Sequence, residues 1–286
     1  MKTTRRNFLI KSSLAIGSTA IISPFSFGYE ANNLNNSKSF GFQVWTIRKK
    51  LIEDFPGTLK IMAGMGYREV EMCSPLGYSG SGFKPLNEMS GSEMRKIIED
   101  AGLKCTSSHY TMDELRDSLD NRIEWTLQMG FKQIILSSFG LPKDASIDDY
   151  RNSADELNKI GETTKASGIQ VGFHNHHGEF EKRGDELIYD ALLDQLDPDL
   201  VKMQFQVAVV DIGYNAADYF HKYPGRFISA HLTDWSKEEE KSVPVGQGII
   251  DWKEFFEAAK TSGVKNFFVE QSPEMFEGSA KFLSNF

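Results

Sequence analysis

Four stretches in the second half of the chain each end an apolar run with groups able to hold a metal ion. They are Val171-Gly-Phe-His-Asn-His-His177, Met203-Gln-Phe-Gln206, Ile228-Ser-Ala-His-Leu-Thr-Asp234 and Phe267-Phe-Val-Glu270. Imidazole nitrogen, amide oxygen and carboxylate all bind divalent ions, and imidazole titrates near neutrality, so a pocket holding several can also move protons. Two earlier runs end similarly, in Glu71 and His109. Any one such residue is most often a hydrogen-bonded support. Glu71, His109, His174, Asn175, His176, Gln206, His231, Asp234 and Glu270 together, spread over six runs, argue for one shared pocket.

Such residues meet only if the runs end at the same place. Strand-like segments recur near 40–46, 68–73, 104–110, 132–138, 169–176, 201–210, 227–234 and 265–271, with helix-like segments between them, such as 90–101 and 148–166. Gly66, Gly102, Gly130, Gly168 and Gly263 stand where the chain leaves a helix for the next strand, the position that favours a left-handed backbone. Eight repeats predict an α/β fold, a (β/α)8 TIM barrel forming a single domain over 40–286, whose site lies at the C-terminal ends of the strands. A doubly wound open sheet is the rival fold. It calls for a phosphate-cradling glycine loop after the first strand, and Trp45-Thr-Ile-Arg-Lys is not one.

The chain begins differently. Thr3-Thr-Arg-Arg-Asn-Phe-Leu-Ile-Lys11, the small-residue apolar stretch 14–22 and the lack of any acidic residue before Glu30 read as a twin-arginine export signal over 1–28. An Asn- and Ser-rich tether over 29–39 follows. The expected compartment is the periplasm, with no membrane association once the signal is removed. A net charge of −8 among 286 residues excludes an electrostatic case for nucleic-acid binding. The two cysteines, Cys73 and Cys105, read as buried thiols, although neighbouring strands would permit a disulfide. Oligomeric state is not legible.

In order along the chain, Gly41-Phe-Gln-Val-Trp-Thr-Ile-Arg48, Gly66-Tyr-Arg-Glu-Val-Glu71, Gly102-Leu-Lys-Cys-Thr-Ser-Ser-His109, the Phe-His-Asn-His run with Glu179-Phe180, Tyr223-Pro-Gly-Arg226, Val245-Gly-Gln-Gly-Ile-Ile-Asp251 and Phe268-Val-Glu270 form a specific set. With it the chain resembles the xylose isomerase-like barrel superfamily, in its sugar phosphate isomerase/epimerase branch. That resemblance implies one divalent ion held from strands five to eight, which by position are His174, Gln206, His231 and Glu270. Relatives commonly carry Glu in place of His174 and Asp in place of Gln206. An amide and two imidazoles make a softer, less anionic site, so Mn, Co or Zn is expected ahead of Mg. Glu179 or His176 could replace Gln206 as ligand, or the metal could be lost.

An ion on a carbonyl stabilises the charge left when the neighbouring proton is removed. Isomerisation, epimerisation and elimination then diverge from one intermediate. Glu71, His109 and His176 are the candidates for proton transfer, Asp234 a partner orienting His231, and Trp45, Phe139 and Trp235 possible apolar faces for a sugar ring. His177 and His221 read as bystanders. The expected substrate is a small carbohydrate. Export favours an unphosphorylated sugar or keto-sugar, with elimination of the aglycone of a 3-keto-glycoside as the sharper alternative. A non-catalytic carbohydrate-binding barrel is the rival from another class, and Gln206 is its best support.

Overall fold

The computed structural model describes residues 39–286; the expected export signal and all of the expected tether before Ser39 lie outside the described residues. Eight parallel strands close into a barrel: β1 (Gly41–Gln43), β2 (Glu69–Cys73), β3 (Lys104–Tyr110), β4 (Gln133–Leu136), β5 (Gln170–His174), β6 (Val201–Gln206), β7 (Phe227–Leu232) and β8 (Asn266–Val269). Each pairs with its neighbours in sequence, and β1 closes the ring on β8. This is the expected (β/α)8 barrel, and it removes the open-sheet alternative. The helices Phe55–Gly64, Gly91–Asp100, Met112–Met129, Ile147–Ala166, Ile188–Gln195, Ala216–Lys222, Trp252–Ser262 and Phe276–Leu283 alternate with the strands.

Local chemistry sets these boundaries. Ser90 and Ser146 close capping boxes with Glu93 and Asp149, satisfying amides that a helix start leaves free. The five glycines expected to leave helices all adopt positive φ, from 71° at Gly168 to 111° at Gly66. Two other glycines serve the barrel interior. A Cβ on Gly172 would lie 2.6 Å from Ile135 Cδ1, and one on Gly41 2.6 Å from the Phe268 ring. Their bare backbones let these larger side chains fill the narrow centre.

Six strands, β1 and β4 to β8, stop two or more residues short of the sequence pattern. β1 stops at Gln43. β6 stops at Gln206, and Val207–Ile212 forms a 3-10 turn because the Gln206 side chain accepts the Ala208 amide. The apolar run continues to Val210 because Val207 and Val209 are buried in that turn. β7 stops at Leu232, and Asp234–Ser236 instead pairs with Lys241–Val243 as a separate ribbon. Cys73 and Cys105 are buried and free. The register sets Cys73 beside His109, four residues further along β3 than Cys105, roughly 13 Å at strand rise and beyond disulfide reach. Among the described residues no helix is long and apolar enough to cross a membrane.

Candidate active site

Strand alternation points Glu71, Ser107, His109, His174, Gln204, Ser229 and His231 into the barrel near the ends of their strands. Glu71 lies at the bottom of this group with no exposed surface. Its Oε1 accepts from Ser107 Oγ at 2.6 Å and from Gln204 Nε2 at 2.8 Å. Its Oε2 meets His231 Nε2 in a short contact and lies 3.2 Å from His109 Nε2. On the other side of His231, Nδ1 is 3.0 Å from Glu270 Oε2, which also accepts from Gln206 Nε2 at 2.7 Å.

These contacts fix protonation. Both nitrogens of His231 face carboxylate oxygens, which only accept, so the ring carries both protons and a positive charge. Burial alone would lower its pKa, but Glu71 and Glu270 outweigh that and raise it to about 9. Burial would raise Glu71, and the His109 and His231 imidazoles overcome it, holding the carboxyl far below its usual range. Glu270 is also lowered, by His231 first, against the effect of burial.

His109 has a defined tautomer. An anionic Glu71 requires the Gln204 amide nitrogen, so the Gln204 oxygen faces His109 Nε2, at 2.8 Å. Nε2 therefore holds the proton, and in the neutral ring Nδ1 holds the lone pair. The second hydrogen of the Gln204 amide reaches Ser229 Oγ at 3.0 Å. Gln204 was not singled out in the sequence, although it sits two residues before Gln206 and must share its inward face. Ser107 relates to His109 in the same way.

His174 contrasts with both. Its ring lies 4.4 Å from that of His231, 5.0 Å from His109 and 4.8 Å from His176, yet its buried Nδ1 has no hydrogen-bond partner. Burial, then the neighbouring imidazoles, push its pKa well below the ordinary value. Among the described residues, His109, His174 and His231 form a buried group whose ligand atoms lie within 4.8 Å of one another. Three imidazoles close together could hold a metal ion. The residues also fit one electrically: two carboxylates against a single imidazolium leave a net negative charge, and the unpartnered Nδ1 leaves a donor free.

The remaining candidates fall around this centre. Gln206 reaches it, but with its amide nitrogen on Glu270 and its oxygen on the Ala208 amide. His176 stands exposed at the mouth, with desolvation by its surroundings lowering its pKa, and its backbone amide donates to Glu179 Oε2 at 2.7 Å. That bond commits Glu179 to its own turn. Asn175 accepts the Gln206 amide.

Asp234 corrects an expectation. It does not touch His231. It accepts from the backbone amides of Trp235, Gly246, Gly248 and Ile250 and from Trp252 Nε1, tying down the loop after β7. The partners of His231 are Glu270, at the end of the neighbouring β8, and Glu71, from the distant β2. His177 pairs with Asp211 on the rim, and His221 is exposed.

A cavity of about 230 Å³ opens above the histidines, with Gln43, Trp45, Tyr78, His109, His174 and His176 among its walls and Glu270 at its edge. Glu71 does not line it. Trp45 and Tyr78 meet edge to face, and Tyr78 is held by Ser137 at 2.6 Å. Trp235 lies in the ribbon beyond β7 and does not line this cavity. A larger cavity, about 530 Å³, lies at the opposite end beside Phe40 and the C-terminal helix. In such barrels the C-terminal ends of the strands carry the chemistry, which places the site at the smaller one.

Residues 59–285 match the family model described as xylose isomerase-like TIM barrel. The chain belongs to that family. Among curated proteins it is similar to an inosose dehydratase of Geobacillus thermodenitrificans, 23% identical over 224 residues, which cover 63% of this chain and 74% of that one. Among solved structures it is similar to a sugar phosphate isomerase/epimerase from Parabacteroides distasonis, with TM-score 0.72, 23% identity and coverage of 88% and 95% of the two chains. It is also similar to a 3-keto-D-glucoside 4-epimerase from E. coli, with TM-score 0.60, 15% identity and coverage of 87% and 100%.

Proposed function

We propose that the protein is a sugar isomerase/epimerase-like enzyme that removes a proton next to the carbonyl of an unphosphorylated keto-sugar. The observation that carries this reading is the buried histidine group: three imidazoles whose ligand atoms lie within 4.8 Å, above a carboxylate and beside an unpartnered His174 Nδ1. His174, His231 and Glu270 would hold a divalent ion. His109 would be the further nitrogen nearby, and Gln206 would hold Glu270 in place. Bound there, such an ion supplies Lewis-acid polarisation of the substrate carbonyl.

The chain's own residues supply the rest. Trp45 and Tyr78 offer an aromatic wall against which a sugar ring can lie. His109, its Nε2 proton fixed by Gln204, takes the substrate proton on Nδ1, and Glu71 at 3.2 Å stabilises the imidazolium that results. Delivery of a proton to the opposite face of the same carbon by a second donor gives the epimer, His109 keeping the proton it took. His176, the imidazole at the cavity mouth, is that donor. Return of the His109 proton to the adjacent carbon gives the isomer.

Elimination of a group from the β carbon is the second reading, favoured by the similarity to a dehydratase. The departing group then leaves with its bonding electrons and takes up a proton, and His176 at the mouth stands nearest to solvent. A neutral substrate is supported by the cavity itself, since none of its lining residues is Lys or Arg. The export signal read in the sequence agrees.

Proton NMR in heavy water tests the proposal, using free keto-sugars and 3-keto-glycosides before and after chelation. Chelator-sensitive deuterium uptake at the carbon beside the carbonyl is expected, and the product separates epimer from eliminated sugar. No exchange with any of these compounds would leave the chain a carbohydrate-binding barrel.

A further inference from the structure

The reaction chamber is not the whole cleft. A second cavity, about 420 Å³, adjoins it and shares two wall residues with it, Ser138 and His176. The loop after β4, the first turn of the helix Ile147–Ala166 and the turn after β5 build the rest of its wall: Phe139 and Leu141, Tyr150, and Gly178 and Glu179. The inner cavity alone, at about 230 Å³, falls below the roughly 300–1,000 Å³ common for ligand pockets. The outer one is the larger of the two.

The two chambers differ in chemistry. The inner one sets two buried imidazoles and a carboxylate opposite the Trp45 and Tyr78 rings. The outer one presents two aromatic residues and a leucine, and again none of its lining residues is Lys or Arg. Phe139 is immobilised, buried and stacked on Phe173 with ring centroids 4.6 Å apart. A fixed aromatic face beside a polar edge formed by Ser138, His176 and Glu179 suits a ring with one apolar face and hydroxyls at its rim, in the way aromatic side chains generally receive sugars and arenes.

We infer that the substrate is a glycoside: its keto-sugar ring occupies the histidine chamber while a second ring, attached to that sugar, lies in the outer chamber against Phe139, Leu141 and Tyr150. This rests on the keto-sugar reading of the inner site and adds the substrate class to it. The shared chemistry of the second ring is a flat apolar face, found on both a phenolic aglycone and a second hexose. His176, bordering both chambers, marks the level at which the bond between the two rings passes.

The experiment measures binding without turnover, so that it stands apart from the reaction. Methyl, phenyl and glucosyl β-glucosides, left unoxidised, are titrated into the mature protein by ligand-observed NMR. The phenyl or glucosyl compound is expected to bind about tenfold more tightly than the methyl compound, from burial of one ring face. The arm showing the larger gain identifies the kind of ring.

Gly178→Trp should then bring that ratio close to one. A Cβ at Gly178 meets nothing within 4 Å and its backbone is not in the left-handed region, so the indole projects without strain at its root. Leu141→Asn, a change at a half-buried wall position, should lower the ratio without filling the chamber. Equal affinities of the three glucosides in the unaltered protein would overturn the inference, as would a ratio that survives Gly178→Trp in a variant with unchanged thermal midpoint. A ring-dependent gain without deuterium exchange on the matching keto-glycosides would keep the second chamber and reject the proposed chemistry.

Discussion

Two halves of the same site are prepared in opposite ways. On the side of Glu71, His231 and Glu270, every nitrogen of the imidazole and both oxygens of the Glu71 carboxylate are engaged inside the protein. On the side of His174, a ring of the same type is equally buried and its Nδ1 has no partner. The first half is finished by the fold. The second retains an unmet polar atom, which a folded chain keeps at a cost unless something else binds there. Stability without a ligand should therefore depend on the first half, while ligand capture needs His174 of the second half in addition to His231 and Glu270.

The sharpest test of that division removes the charge beneath the histidines. Glu71→Ala leaves the His231 imidazolium with a single carboxylate and frees Ser107 and Gln204 of their acceptor. Breaking a buried pair in this way is expected to cost about 3–5 kcal/mol of folding stability, read from denaturant midpoints, and to abolish turnover. His174→Gln should do the reverse. It removes no hydrogen bond at Nδ1 and no buried charge, so stability should fall by about 1 kcal/mol, well short of the loss in Glu71→Ala, while exchange activity falls by about 10²-fold or more. Equal stability losses in the two variants would break the comparison.

Gln204 lies where the halves meet, touching Glu71, His109 and Ser229. Gln204→Met keeps volume but removes the nearer of the two acceptors, Gln204 and Glu71, that hold the His109 tautomer. The expected result is a drop in kcat of about 10–10²-fold with KM little altered, since Gln204 does not line the cavity. A rise in KM with kcat unchanged would place it in substrate binding instead.

The same network explains what could be read from the sequence. The eight strands were legible because burial on both faces leaves unbroken apolar runs, and the glycine stops were legible because few other residues accept a positive φ. Most strand-end candidates do converge, Glu71 with His109, His174, His231 and Glu270, because a parallel barrel brings one end of every strand to one place. The partners were not legible. His231 and Glu71 are 160 positions apart, and Asp234, close in sequence to His231, serves the loop after β7 through five donors. Gln204 and Ser107 carried a signal that alternation alone could have raised: each lies two residues before a candidate on an inward face.

The smallest effect concerns pH and separates the halves without mutation. The folded pKa of His231 is raised to about 9 from an unfolded value of about 6.5, so its charge stabilises the fold fully below about 6.5 and loses that contribution as pH rises to about 9. Glu71 runs the other way: its folded pKa is depressed, so its contribution is present above its unfolded value of about 4.3 and lost only as pH falls far below it. The pair is therefore strongest between about pH 4.3 and 6.5 and weakens on the alkaline side through His231. Protein treated with a chelator should show a lower thermal midpoint at pH 9 than at pH 6.5, by several degrees, since each unit of raised pKa is worth about 1.4 kcal/mol and about 1 kcal/mol moves the midpoint by about 2–4 °C in a chain of this size. His231→Gln should lack that alkaline decline. A divalent ion added to the unaltered protein should flatten it, because the ion takes the place of a proton on the ring and holds the carboxylates together without it. A midpoint independent of pH across this range in the chelated protein would mean that His231 is not charged in the folded state, and the division between the two halves would fail at its best-defined residue.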